Sequence, residues 1–310
     1  LPSRQRVGGI FGELAGLAPI IEVNAEYAFA NFYNSGSVHS ACSQNTAPIR
    51  AAGIGTTNTT EAVEYALMFN HGNFDYDTTG ATAASQHFHF TAIISDVGGS
   101  DITLSRVYNY ADFIYDNACY ADVSPFYHSV NDNDTLIRYS TNYGSISFLS
   151  NSGDSTITMT THMYLAGITT SANVSMQNVI NEGDITVVNV NVATYTMSVA
   201  GLMTNVNSGK VIKNSINKGK ITVAYINSST SGYPNIYIGG LVNGNYSGDL
   251  HNPGQSPTQP RATTGIINSI NYGEITTSYS SSRLGIRNRS NTFMGGIATM
   301  NSGSIQDSAN

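Results

Sequence analysis

The chain has no tryptophan, only two cysteines and very little charge: Asp, Glu, Lys and Arg make up 11% of its 310 residues, against about 25% in an ordinary globular domain. Each shortage excludes something. With so few charges and a formal net charge of -7, no basic face can form to neutralise a phosphate backbone or an anionic lipid surface, so nucleic acid and charged membrane are excluded as partners. The longest apolar stretches, such as Gly8 to Val23, are broken by Glu13, Pro19 and Glu22, and none approaches the roughly 18 clean residues of a membrane span. Cys42 and Cys119 allow at most one disulfide. Catalytic signatures are missing too: no histidine opens an H-E-x-x-H zinc motif and no G-x-S-x-G elbow occurs.

What is present is a repeat. The pattern N-x-G-x-[I/V/F] begins at Asn34, Asn70, Asn142, Asn181, Asn217 and Asn271, with a degenerate copy at Asn109 that has Ala111 in place of glycine. Successive asparagines are 36, 39, 33, 39, 36 and 54 residues apart, the last exceeding 36 by 18. A second signature, a small residue and glycine before an aliphatic one, recurs at Gly8-Gly9-Ile10, Ala52-Gly53-Ile54, Ala166-Gly167-Ile168, Ala200-Gly201-Leu202, Gly239-Gly240-Leu241 and Gly295-Gly296-Ile297. Gly201 and Gly219 are 18 residues apart, half of 36. This spacing predicts two coils of about 18 residues in each repeat, and the 54-residue interval reads as three coils or as two plus an insertion.

Between these anchors the residues alternate apolar and polar and are rich in β-branched types, as in Ile185-Thr186-Val187-Val188-Asn189-Val190, which predicts short strands. Glycine at fixed offsets suits tight turns. An asparagine repeated at one site can bond to its copies above and below, so Asn34, Asn70, Asn109, Asn142, Asn181, Asn217 and Asn271 are read as a structural ladder. Beside it, Val38, Phe74, Phe113, Ile146, Ile185, Ile221 and Ile275 would form a matching hydrophobic column. The predicted fold is an all-β solenoid, or β-helix, of stacked short-strand coils. At about 4.8 Å per coil, it would be on the order of 80 Å long with 18-residue coils and half that with 36-residue coils.

The pattern divides the chain. Residues 1–140 hold it loosely and are rich in aromatics, whereas 141–310 hold it regularly, apart from a proline-rich insertion over 251–264. Glu61 to Phe69 has helix-forming composition but is read as a strand entering Asn70. Glu182 and Asp184 occupy the places that Lys218 and Lys220 take one repeat later, which predicts complementary charges along the stack.

The half-repeats Gly239-Gly240-Leu241-Val242-Asn243-Gly244-Asn245 and Ala200-Gly201-Leu202-Met203, with Asn207-Ser208-Gly209-Lys210-Val211 and the following Asn217 to Ile221, resemble GLUG-type repeats of bacterial surface and secreted proteins. The resemblance covers about 140–310 and departs from the family in losing the fourth residue, Gly, in most copies. Those families include non-catalytic regions of adhesins and of immunoglobulin-A-specific metallopeptidases. The resemblance implies an extracellular, non-enzymatic, solenoid-like segment, with no cofactor and no catalytic residue to carry over.

Other candidate chemistry is thin. Gln86-His87-Phe88-His89 sets two imidazoles on one strand face with no third ligand. Asn131-Asp132-Asn133-Asp134-Thr135 has clustered oxygens without the glycine and glutamate of a calcium loop. Arg106, Asp112, Asp116 and Arg138 lie within one repeat and are the acid and base candidates of a polysaccharide-degrading alternative. The 19 tyrosines, set among Asn and Ser, suit a glycan-binding surface. Sequons stand at Asn58, Asn133, Asn173, Asn227, Asn245 and Asn288. The expected role is a stalk, fibre or adhesin segment whose partners are further repeats, neighbouring subunits, or host or matrix glycan and protein. Because Asn310 takes the place of Asn217 in the final copy, the segment is expected to continue into a longer array.

Overall fold

A computed structural model describes residues 5–8, 11–15, 29–41, 49–58, 63–77, 88–96, 101–116, 122–129, 134–149, 157–158, 162–192, 196–207, 209–227, 234–245, 265–281, 291–301 and 303–310. These residues build parallel β-coils, with no helix among them. The coil holding Asn217 shows the plan. Met197–Ala200 is its first wall and Met203–Val206 its second; Val211–Lys213 and Ile216–Asn217 make a bent third wall, and Ile221–Asn227 the fourth. The next coil repeats it in parallel register, pairing Met197 with Ile236, Met203 with Val242, Asn217 with Asn271 and Ile221 with Ile275. Residues 63–77 and 101–116 pair in the same walls as the later copies, and 63–70 is a strand.

One coil therefore takes a whole repeat, which corrects the expected 18-residue coil. Gly201 and Gly219 are two corners of the same turn and do not stack on each other. Eight first-wall strands stack in one sheet, giving a rod of about 40 Å at roughly 4.8 Å per coil. The 54-residue interval is one coil with an insertion. Register partners are 39 apart at Val206 and Asn245 but 54 apart at Val211 and Gly265, so the added residues enter between these points. The segment 251–264 itself lies outside the described residues.

The core follows from the alternation. Phe74, Phe113, Ile146, Ile185 and Ile221 are buried in one fourth-wall column, with Ile275 packed partly buried against the core, and the Phe74 and Phe113 rings stack at 4.8 Å. The side chain of Val38 lies outside the described residues. Phe90 of the first wall meets Tyr115 of the fourth edge-on at 5.5 Å.

The bend of the third wall has its own column. Leu67, Arg106, Tyr139, Asn178, Asn214, Asn268 and Asp307 all have positive φ, between 47 and 55°, and each stands three residues before a ladder asparagine. In the later copies the residue is one that tolerates left-handed backbone; in the earlier ones Leu, Arg and Tyr adopt it against their preference. One residue on, Ser140, Ser215 and Ser269 are buried. Their hydroxyls accept an N–H from a neighbouring coil and donate to the carbonyl two residues back.

Candidate functional site

The asparagines form a continuous hydrogen-bonded column. Asn34 Nδ2 donates to Asn70 Oδ1 at 2.7 Å, and the same bond runs forward through Asn109, Asn142, Asn181, Asn217 and Asn271 to Asn310. The second amide hydrogen of each rung from Asn34 to Asn271 reaches the carbonyl two residues on in its own coil. Every amide thus joins two coils and closes its own corner.

Where glycine stands at the two corners, the packing leaves no room for a Cβ. A Cβ on Gly219 would sit 1.9 Å from the Gly183 carbonyl oxygen, and one on Gly201 would sit 2.5 Å from Asn217 Cγ. The second contact shows how the coil is shaped: the corner between first and second walls is pushed inward until it rests on the asparagine column. Ala111 breaks the first rule, and there Asn70 makes the longest bonds of the column, 3.4 Å to Gly72 and 3.1 Å to Asn109. The third residue after each asparagine is also used. Its side chain accepts the N–H of its copy in the next coil, from Asn73 through Asp112, Ser145 and Asp184 to Lys220.

Folding the corner inward turns the outer faces of the first two walls toward each other. Asn243 Nδ2 reaches Ser198 Oγ across this cleft at 3.2 Å. Most coils place Ala-Gly or Gly-Gly at the corner, but two carry Thr91-Ala92 and Ser124-Pro125, and here polar groups collect. Thr170 donates its hydroxyl to Asp122 Oδ1 and accepts from Ser124, whose oxygen takes the Thr170 N–H at 2.9 Å. His128 Nδ1 lies 3.5 Å from Asp122 Oδ2, and both residues are over nine-tenths buried. Ser95, fully buried, is the register partner of His128. Tyr164 pairs in register with Asp122, and its phenol is raised above the ordinary value, first by burial and then by the Asp122 charge. A carboxylate orienting an imidazole is a general-base arrangement, but enclosed to this degree the pair serves to tie the two walls together. The sequence signal for it was the loss of Ala-Gly in those two coils.

Among the described side chains, the acid and base candidates are engaged separately. Asp112 accepts the Ser145 N–H at 2.7 Å in the side-chain column just described. Arg138 pairs with Glu64 at 2.8 Å, Arg106 is exposed in the positive-φ column, and the side chain of Asp116 lies outside the described residues. The charges expected to stack do so in part: Lys218 Nζ meets Glu182 at 2.7 Å, whereas Lys220 offers its backbone N–H to Asp184 and its ammonium to Glu274 at 2.9 Å. Asp134 pairs with Lys210. Cys42, Cys119, His87 and 131–133 lie outside the described residues, as does the side chain of His89. No group of three metal-ligating side chains occurs among the described residues.

The outer surface beside the ladder carries a run of aromatic rings at the residue after Asn70, Asn109 and Asn142. His71 stacks on Tyr110 at 4.3 Å and Tyr110 on Tyr143 at 4.8 Å, with Tyr33 tilted against His71 at 5.1 Å. Tyr33, Tyr110, Tyr139 and Tyr143 are all exposed. No family model, curated protein or solved structure matches the chain.

Proposed function

We propose that the chain is a non-enzymatic structural and adhesive segment of an extracellular bacterial surface protein, related to the GLUG-type repeats that residues 140–310 resemble. The observation that carries this reading is the asparagine column, unbroken from Asn34 to Asn310. The residues that recur most strictly are spent on stacking coils, through the ladder amides, the corner glycines and the side-chain column after them. A rod built this way needs no cofactor, and its natural partners are further repeats, neighbouring subunits, or a matrix glycan or protein laid along its neutral polar walls. The test is binding to immobilised matrix proteins and polysaccharides, with the supernatant assayed for released reducing ends. Retention without release supports the reading; turnover of any polysaccharide would overturn it.

The exposed aromatic column favours a second reading, a glycan-binding module. Tyrosine beside asparagine and serine suits hydroxyl-rich ligands, although the stacked rings of His71, Tyr110 and Tyr143 turn their faces to each other and present edges outward. Binding to a glycan array that is lost in Tyr33→Ala and Tyr139→Ala would favour this reading over the purely structural one.

A further inference from the structure

We propose that Tyr110 and Tyr143 are a site of oxidative cross-linking, at which a one-electron oxidant joins two consecutive coils through a carbon–carbon bond between the rings. The two rings are parallel to within 8°, with centroids 4.8 Å apart, and each residue is 41% exposed, so an oxidant can reach both. Their backbones are fixed beside each other. The Tyr110 N–H is held by the Asn70 carbonyl at 2.8 Å and the Tyr143 N–H by the Asn109 carbonyl at 2.7 Å, one rung apart on the ladder. The torsion that rotates a phenol about its own axis is soft and two-fold, and once the exposed His71 side chain swings off the far face of Tyr110, a quarter turn of each phenol brings an edge of one to face an edge of the other. His71 covers the far face of Tyr110, and beyond Tyr143 the same column continues as Glu182 and Lys218. The column thus holds one stacked pair of exposed tyrosines.

Other exposed tyrosines lack this arrangement among the described residues. Tyr33 leans on His71, Tyr272 stands one coil from Lys218 in its column, and Tyr279 is tilted by 35° against a buried Tyr225. The Tyr110 phenol is raised above the ordinary value, first by burial and then by Tyr143 and Tyr108, so at neutral pH it gives up its hydroxyl proton together with an electron; oxidation of Tyr143 likewise removes one electron and one proton. The two phenoxyl radicals couple at ring carbons beside the oxygen, and the hydrogens on those carbons move to the oxygens to restore two phenols. Two electrons and two protons leave in all. A peroxide accepts them through a haem peroxidase and is reduced to two waters. This goes beyond the structural reading and does not depend on what the rod binds.

The test treats the whole chain with a haem peroxidase and hydrogen peroxide over a range of protein concentrations, then maps cross-linked peptides by mass spectrometry. The expected result is a linked pair containing Tyr110 and Tyr143, with a yield per chain that does not change with concentration. Tyr110→Phe or Tyr143→Phe should abolish it, because phenylalanine keeps the stack but cannot form a phenoxyl radical. Oxidation of Tyr272 reports that the oxidant was active. If Tyr272 is oxidised while no 110–143 link forms, or if that link forms only in proportion to concentration, the proposal is overturned.

Discussion

Replacing Asn217 by leucine removes one rung from the middle of the column while nearly conserving side-chain size. Asn217 accepts from Asn181 Nδ2 at 2.8 Å, and donates to Asn271 Oδ1 at 2.7 Å and to the Gly219 carbonyl at 3.0 Å. It is fully buried, so no water can take over any of the three. Each orphaned group costs about 1–3 kcal/mol. Burying the leucine would offset about 1.5–3 kcal/mol if it packed, but the Gly201 corner lies against the Asn217 Cγ, where the branched methyls would go. The net expectation is a loss of about 3 kcal/mol. Asn70→Leu should cost roughly half as much, because its own donated bonds are already stretched to 3.4 and 3.1 Å beside Ala111. Stacked repeats couple mainly to their neighbours, so urea unfolding should be read together with amide exchange at Lys218 and Tyr272, whose N–H groups bond across coils. An unfolding midpoint unchanged to within a few tenths of a kcal/mol, with protection across the Asn181, Asn217 and Asn271 coils intact, would refute the claim that the ladder stabilises the fold.

Arg106→Asn places an αL-tolerant residue at φ 55° and should stabilise by about 0.5–1 kcal/mol; a drop in stability on denaturant unfolding would count against strain there. Gly219→Ala forces a methyl toward the Gly183 carbonyl and should cost about 1–3 kcal/mol, a range kept low because Ala111 shows that the corner can yield; calorimetry decides it. Asp122→Ala strips Thr170 of its acceptor and His128 of its partner inside the cleft and should cost about 2–4 kcal/mol, while Thr299→Val in the second wall, which loses only the hydroxyl bond to the Asn243 carbonyl, should cost less. The Glu274 carboxyl is held below the ordinary value, first by the Lys220 hydrogen bond, then by its charge and by Thr276. A depressed carboxyl contributes stability above its unfolded value of about 4.3 and loses it as pH falls through the folded one. Lys220→Gln should move the Glu274 titration, followed by NMR, back up toward the ordinary carboxylate range, and added salt should weaken the effect.

The parts of this fold that were legible in the sequence are those that every coil must satisfy in the same way. Asparagine recurs because its two amide hydrogens and its oxygen all have fixed partners, and the apolar residue four places later recurs because it starts the buried face of the fourth wall. Other columns carry equal weight and left weaker traces. The positive-φ position reads as asparagine in Asn178, Asn214 and Asn268 but as Leu67, Arg106 and Tyr139 earlier, because a backbone demand can be met at some cost by any residue. The position three after the asparagine is Asn73, Asp112, Ser145 and Asp184 where its side chain accepts from the next coil, since only an oxygen is needed there, and Lys220 or Glu274 in later copies, so no single residue type marks it. Asp122, His128 and Thr170 could not be grouped without the register, because they lie on two walls and in two coils.

The coil length was misread for a physical reason. Two glycine motifs 18 residues apart look like two copies of one element, yet each meets the other's side of the same turn. Had 18-residue coils stacked, Gly201 would lie over Gly219 along the rod axis, and the column would need glycine or asparagine at both sites in alternation. The contacts run across the coil instead: a Cβ on Gly201 would strike Asn217, one on Gly240 would strike Asn271, and one on Gly296 would strike Asn310. The likeness of the half-repeats therefore reflects two corners closing on one amide from opposite sides, each leaving no room for a Cβ in the copies that carry glycine. The same contact presses the first corner inward and so creates the outer cleft. Within that cleft, Asp122, Ser124 and His128 all stand in the coil that carries Ser124-Pro125, and Thr170 reaches them from the next coil, which keeps Ala166-Gly167, so a departure from the consensus marks where polar groups beyond the stacking set are placed.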